Sequence, residues 1–392
     1  MKRNFLVILL LFAMASSSFA GGILTNSNQS TQYIRMLSRN ASTQIDAVYF
    51  NPAGLMKMDN GFHIALQNQM IKQTRTITTT NPLLNNKEFI GDVNAPLFPN
   101  AYLVYKMDNV AFSFGFGPNG GGGSATFDKG LPSFEAKIAS GIIPPFAGYS
   151  ADIAFEAQSV FYGFQLGVSW KMGEVFSGYA GARMLPSVNT YSGTIKNISV
   201  KLSNGQTMLA SPYFTTAAAA AQGASTQVQQ LITAGAGSYT IAQVQTAGYI
   251  SSAAKAQLES GLASLGLSSA QIAALNMTQV KGAFDAGVTK LTDGAKNTKD
   301  VEVDTKATGT GWTPIIGLNI NPVEGLNIGL KYEHKTKLGL TNDTKKDDAG
   351  LAFLKDKVTV PSDIPGIISA GVGYQFTKKF LASVSFMEYL DK

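Results

Sequence analysis

The sequence predicts an all-β fold, a transmembrane antiparallel β-barrel of the outer-membrane type. Three observations predict it. From residue 61 onward, apolar residues alternate with small or polar ones at a period of two. The connections between these segments alternate strictly between short and long. The longest apolar run lies at the N-terminus and is about half the length that a spanning helix requires.

That N-terminal run is read as a cleaved secretory signal, residues 1–20. Met1-Lys2-Arg3 is basic, Phe5 to Met14 is apolar, and Ser18 and Ala20 put small residues at the −3 and −1 positions of a cleavage site. Gly21 would be the first mature residue. The 392 residues are 45% hydrophobic but only 14% charged, against roughly 25% charged in soluble domains. A net charge of +6 spread without a cluster gives no footprint for nucleic acid. The absence of cysteine excludes disulfides and thiolate metal sites.

Residues 21–60 show no clean period and are expected to form an N-terminal hatch, with a helical turn near Tyr33–Leu37. Arg35 and Arg39 are read as hatch or surface charges. Within this region Asn51-Pro52-Ala53-Gly54 stands out, because Pro52 fixes its own φ and pushes Asn51 towards an extended conformation, while Gly54 permits a backbone that other residues resist. The barrel is assigned to 61–392. Phe62, Ile64 and Leu66 open it on one face, opposite His63, Ala65 and Gln67. Phe112, Phe114 and Phe116 oppose Ser113, Gly115 and Gly117; Phe164, Leu166 and Val168 oppose Gln165 and Gly167; Ala180, Ala182 and Met184 oppose Tyr179, Gly181 and Arg183. The second face suits a lumen. Trp170, Trp312, Tyr332 and Tyr374 suit the interfacial girdles.

Asp108-Asn109, Lys171–Glu174, Asn321–Gly325 and Thr377–Lys379 are the short turns, and long polar stretches lie around 78–97, 119–155, 191–308 and 339–365. Short periplasmic turns and long outer loops are the pattern of a membrane barrel, and a soluble sandwich has no reason for it. With the hatch on the periplasmic side, about nine strands are expected. A closed bacterial barrel has an even number, and Asp391-Lys392 provides no terminal aromatic residue, so the sequence is expected to be C-terminally incomplete.

The Asn51-Pro52-Ala53-Gly54 motif, the polar Asn26–Ser30 stretch before it and the alternating strands after it resemble the FadL family of outer-membrane transporters. Strand Leu326–Tyr332 and the Pro361-Ser362-Asp363-Ile364-Pro365 segment before Ile368 extend the resemblance over most of the chain. It implies fourteen strands, about five more than expected here. It also implies passive uptake of long-chain fatty acids or related hydrophobic compounds by a monomer that takes its solute from lipopolysaccharide-rich membrane, with no cofactor. Asn51, Pro52, Ala53 and Gly54 would be the hatch motif. Leu131, Phe134, Ile142, Ile143 and Phe146 would be candidates for an apolar loop groove. Gly115 and Gly117, followed by Pro118, are read either as plain small lumen residues or as candidates for a strand irregularity, and the resemblance implies a lateral opening in the wall. Aromatic hydrocarbon uptake is the alternative within the same fold; an adhesin or structural barrel is the alternative outside it.

No enzyme is expected. His63 and His334 are far apart in the chain, no nucleophile or carboxylate constellation has credible spacing, and Gly120–Gly123 lacks the Lys-Ser/Thr of a phosphate loop. Asp343, Asp347 and Asp348 read as a solvated loop rather than a Ca²⁺ site, so no metal is expected. The Ala/Gly/Ser-rich stretch at about 206–299 is expected to be a long extracellular loop with marginal helices at Thr226–Thr233, Ala253–Leu265 and Ala270–Leu275, with Ser252 and Ser269 as N-caps.

Overall fold

A computed structural model describes residues 30–142, 146–202 and 204–390; the expected signal peptide and the candidate Ile143 lie outside the described residues. Alternation of period two produces one antiparallel sheet, β1 (Gly61–Thr78), β2 (Glu88–Met107), β3 (Val110–Phe127), β4 (Gly148–Met172), β5 (Phe176–Lys201), the short β6 (Thr207–Leu209), β7 (Val301–Ile320), β8 (Leu326–Glu333), β9 (Gly339–Asp347), β10 (Thr359–Pro361), β11 (Gly366–Thr377) and β12 (Phe380–Leu390). Its order is β1-β2-β3-β4-β5-β7-β8-β11-β12. β8 and β9 are one interrupted wall strand along β7: β8 pairs Ile315–Ile320 and β9 pairs Val303–Thr308. β10 and β11 are interrupted at the same level, where Thr336 and Ile364 exchange backbone hydrogen bonds of 2.9 and 3.0 Å. Nine wall strands result among the described residues, the number that the turns predicted. β1 and β12 are the edges of the sheet.

The sheet is inverted relative to a soluble protein. Phe62, Leu66, Leu166 and Val384 are 63–75% exposed on the convex face. Ser113, Gln165, Ser169, Arg183, Asn319, Lys331, Glu333 and Ser369 are buried on the concave one. In water this arrangement would expose the side chains that gain most from burial and bury those that lose most. In a bilayer the signs reverse, so apolar outside and polar inside is the stable order. Among the described residues no helix is long and apolar enough to cross a membrane.

Several strands run further than the alternation indicated. β3 and β4 reach Phe127 and Gly148, β5 and β7 reach Lys201 and Val301, and the stretch at 339–365 contains β9 and β10. Beyond the lipid nothing enforces a continuous apolar outer face, yet the ladder continues to satisfy the backbone.

The 206–299 stretch is a packed helical unit, not a loop with marginal helices. After α1 (Thr31–Arg35), α2 (Ala47–Phe50) and α3 (Pro132–Gly141) come α4 (Ala210–Leu231), α5 (Ile241–Thr246), α6 (Ser252–Ser264), α7 (Ser269–Ala274) and α8 (Met277–Asn297). Its own core gathers Val228, Val244, Leu258, Leu262, Val280 and Phe284. The N-caps are Ser251 and Ser268, one residue earlier than expected. Ser251 accepts from Ala254 N–H, and Ser268 forms a capping box with Gln271. Apolar residues at helical spacing, such as Val280, Phe284 and Leu291, are diluted by Ala, Gly and Ser, which hid the helices' full extent.

Candidate functional site

Residues 30–58 fill the lumen near the short-turn end. Asn51, Pro52, Ala53, Gly54 and Leu55 are buried where α2 passes into a 3₁₀ turn, Pro52–Lys57. The segment has no regular partner for its carbonyls, so lumen side chains supply donors. Gln165 Nε2 donates to Val48 O, Ser169 Oγ to Pro52 O, Ser177 Oγ to Ala53 O and Lys331 Nζ to Tyr49 O, each at 2.7 Å. Asn327 Nδ2 donates to Ala41 O at 2.8 Å. Asn51 Nδ2 donates to Ser42 O within the segment (3.0 Å) and to Asn319 Oδ1 in the wall (2.7 Å). Arg39 and Asp46 form a buried pair at 2.6 Å that braces the turn between them.

Close packing makes Gly54 obligatory, since a Cβ there would sit 2.4 Å from Asn51 Nδ2 and 2.6 Å from Ser42 O. The wall yields space in the same way. Gly329 and Gly371, paired across β8 and β11, would place a Cβ 2.2 Å from Asn40 O and 2.4 Å from Asn40 C.

Above the plug lies an ion cluster. Arg183 Nη1 and Lys331 Nζ each meet Glu333 at 2.6 Å, and Arg183 also donates to Gln165 Oε1. Two cations share one carboxylate, leaving a formal +1. Both cations stand 4.8 Å from the Tyr49 ring centroid, so the plug is bound to the cluster by its aromatic face as well. The free space beside Arg183, Asn119 and Tyr49 is about 10 Å³, room for about one water.

The wall is interrupted next to the cluster. β2 and β3 pair at Ala101–Met107 and again at Gly91–Val93, but not between. On its other side β3 shifts register against β4 at Pro118/Gly120 and at Gly120/Gly123. Pro96, Pro99 and Pro118 flank the break without an N–H to donate, and Gly121 and Gly123 take φ of +88° and +74°, which glycine tolerates best. Gly115 lies in regular pairing with Tyr102 and Gln165. Gly117 still pairs Gly163 on β4 but is the first β3 residue without a β2 partner, so it stands at the edge of the break.

The loop candidates are placed differently. Leu131 precedes α3 as its N-cap. Phe134, Ile142 and Phe146 pack around Ile138, Ile153, Ile198 and Phe214 between α3, the outer ends of β4 and β5, and α4. Phe146 alone of these borders a groove of about 660 Å³ among α4, α6 and α8, within the usual size of a small-molecule site, about 300–1,000 Å³. Its lining is mostly Ala, Gly, Leu and Phe, with Gln227, Gln257 and Ser264 as neutral polar groups and Lys290 as the one charged residue among the described residues.

No protein-family model matches the chain, and no curated protein does. Solved structures do match. A FadL homologue from Pseudomonas aeruginosa is 13% identical, with 94% of this chain and 69% of that one covered and a TM-score of 0.48. The Ralstonia pickettii toluene transporter TbuX is 13% identical over 88% and 66%, at 0.43. A variant of the TodX monoaromatic hydrocarbon channel is 13% identical over 94% and 69%, also at 0.43. The chain is similar to these FadL- and TodX-type barrels in structure.

The sequence had marked Arg183 only as a lumen-face residue and had assigned no role to Lys331 or Glu333. The available signal was an ionisable side chain on the inward face of a membrane strand, which is costly unless paired or used.

Proposed function

We propose that the chain carries long-chain fatty acids or similar amphiphiles passively across the outer membrane. The path would run from the outer groove beside Lys290, through the lumen at Arg183 and Lys331, to the break between β2 and β3. The observation that carries this reading is the +1 cluster held against the plug and beside a break in the wall. A carboxylate can compete with Glu333 for the two cations, and its alkyl chain can lie in apolar surroundings.

Magnitudes favour a long chain. Six side-chain hydrogen bonds from the wall hold plug carbonyls, at about 1 kcal/mol each, so moving the plug costs at least about 6 kcal/mol. For a solute that enters from water, burying fourteen methylenes contributes about 11 kcal/mol at about 0.8 each. A monoaromatic hydrocarbon brings roughly half the carbons and no charge for Arg183, so it offsets the plug poorly.

Extraction of the full chain in mild detergent, followed by mass spectrometry of bound lipid, tests the reading. Bound fatty acid that falls several-fold in Arg183→Ala supports it. Lipid bound equally with or without Arg183, or a lumen that stays empty while a partner binds the 206–299 unit, would sink it in favour of an adhesin.

A further inference from the structure

The concave face of β2 carries Asn100, Tyr102 and Val104 in succession, all buried. Tyr102 and Val104 pack against the plug through Val48 and Ala47. Asn100 is 2% exposed, and neither its Nδ2 nor its Oδ1 has a hydrogen-bond partner. A buried amide left without partners costs about 1–3 kcal/mol, so a polar group that something else satisfies is the expected reason for its presence.

Its position says what that something is. The last β2–β3 pair before the break is Ala101 with Phe116, so Asn100 and Gly117 are the first residues of β2 and β3 that no longer pair with each other. Gly117 in turn pairs Gly163 on β4. No side chain rises from either glycine, and a Cβ on Gly163 would meet Arg183 Cδ at 3.0 Å. A Cβ on Gly163 would also meet Asn119 Cβ at 3.2 Å, so Arg183 and Asn119 cover this glycine, and Asn100 at the break lies three strand spacings from Arg183, roughly 15 Å. Asn119 borders both of the small spaces that Arg183 lines, and one of them reaches Gly117.

We propose that Asn100 is the polar station at the wall break, where it receives the head group of an amphiphile leaving Arg183 and Lys331 while the alkyl chain passes between β2 and β3. The amide donates through Nδ2 to a carboxylate and accepts through Oδ1 from a protonated head or a hydroxyl. It discriminates by head group: a solute with hydrogen-bonding atoms satisfies Asn100, and a hydrocarbon of the same length leaves it unpaired. This inference rests on the transport reading above.

The test compares initial uptake of palmitate and of hexadecane by cells carrying the full chain in their outer membrane, for wild type, Asn100→Leu, Asn100→Ala and Asn100→Ser. Asn100→Leu is expected to lower palmitate uptake about fivefold and to leave hexadecane within about twofold of wild type, on the scale of one lost hydrogen bond. Should Asn100→Leu fail to reach the membrane, the Ala and Ser variants decide. The serine hydroxyl is expected to restore palmitate uptake relative to alanine without changing hexadecane. Wild-type palmitate uptake with no selective loss in the Asn100 variants overturns the station alone. Palmitate uptake no greater than in cells lacking the protein overturns the transport reading and this one with it.

Discussion

Asn51 of the plug donates its Nδ2 to Oδ1 of Asn319 in β7 at 2.7 Å, across 268 positions of sequence. Asn319 passes the contact on, because its own Nδ2 donates to Asn321 and Asn327 Oδ1, and Asn327 Nδ2 reaches back to Ala41 O. A ring of amides thus connects the plug at two places with one short turn of the wall. Amides suit this task because each both donates and accepts and none carries a charge into the lumen.

Replacing Asn51 by Leu leaves Ser42 O and Asn319 Oδ1 buried without this donor. The expected cost is about 1–3 kcal/mol for each group left unsatisfied, felt by the plug before the wall. Limited proteolysis should therefore cut residues 30–58 of Asn51→Leu faster than wild type, with the barrel's unfolding midpoint little changed. Equal cutting rates would show that Asn51 does not anchor the plug.

The Arg183–Glu333–Lys331 cluster is expected to behave asymmetrically. Glu333→Leu leaves two like charges buried side by side, and breaking a buried pair typically costs about 3–5 kcal/mol. Replacing all three with apolar residues of similar volume removes the unpaired charges and is expected to recover most of that loss. Denaturant unfolding in detergent, followed by the fluorescence of Trp170 and Trp312, reads both. A triple variant no more stable than Glu333→Leu would contradict the electrostatic account.

In the outer helical unit, Asp285 on α8 is held below the ordinary carboxylate range, first by the hydrogen bond from Lys281 and then by that from Ser225 on α4. A folded value below the unfolded one means that the contribution to stability is present above the unfolded pKa, about 3.9, and is lost as pH falls through the depressed folded value. Helical circular dichroism between pH 6 and pH 2 should show the α4–α8 pair loosening at the acid end. Asp285→Asn should lose this part of the pH dependence, and an unchanged acid transition would rule the residue out.

The wall was legible from sequence because lipid imposes a strict period on each strand, as with Phe112, Phe114 and Phe116 outside and Ser113, Gly115 and Gly117 inside. The short turns were legible for the same reason, as interruptions between such segments. What lay outside the bilayer was not, because no solvent boundary enforces alternation at β9 or at the outer ends of β3 and β5. The plug motif was visible through Pro52 and Gly54, but its partners were not, because Asn319, Asn327, Ser169 and Ser177 are unremarkable polar residues until the barrel curls them around it. The cluster was half visible: Arg183 was placed on the lumen face, while its pairing with Glu333 spans 150 positions and has no local signature.

The glycine pair of the wall offers a way to unseat the plug without a ligand. Gly329 and Gly371 lie side by side, and a Cβ on either would enter the backbone at Asn40. That backbone is itself held, since Asn40 N–H donates to Ser385 Oγ at 3.0 Å and Asn40 Nδ2 to Phe386 O at 2.9 Å. A side chain at Gly371 must therefore displace the plug or distort two strands, and the plug, held by side chains and not by a ladder, is the weaker of the two. Gly371→Val is expected to weaken plug docking by at least about 1–3 kcal/mol, the usual scale of overpacking, and to leave β8–β11 pairing intact. Hydrogen exchange separates the cases: amides of residues 39–55 should exchange faster while those of Gly366–Thr377 keep their protection. Loss of protection in the strand with the plug unchanged would mean that the wall yields first.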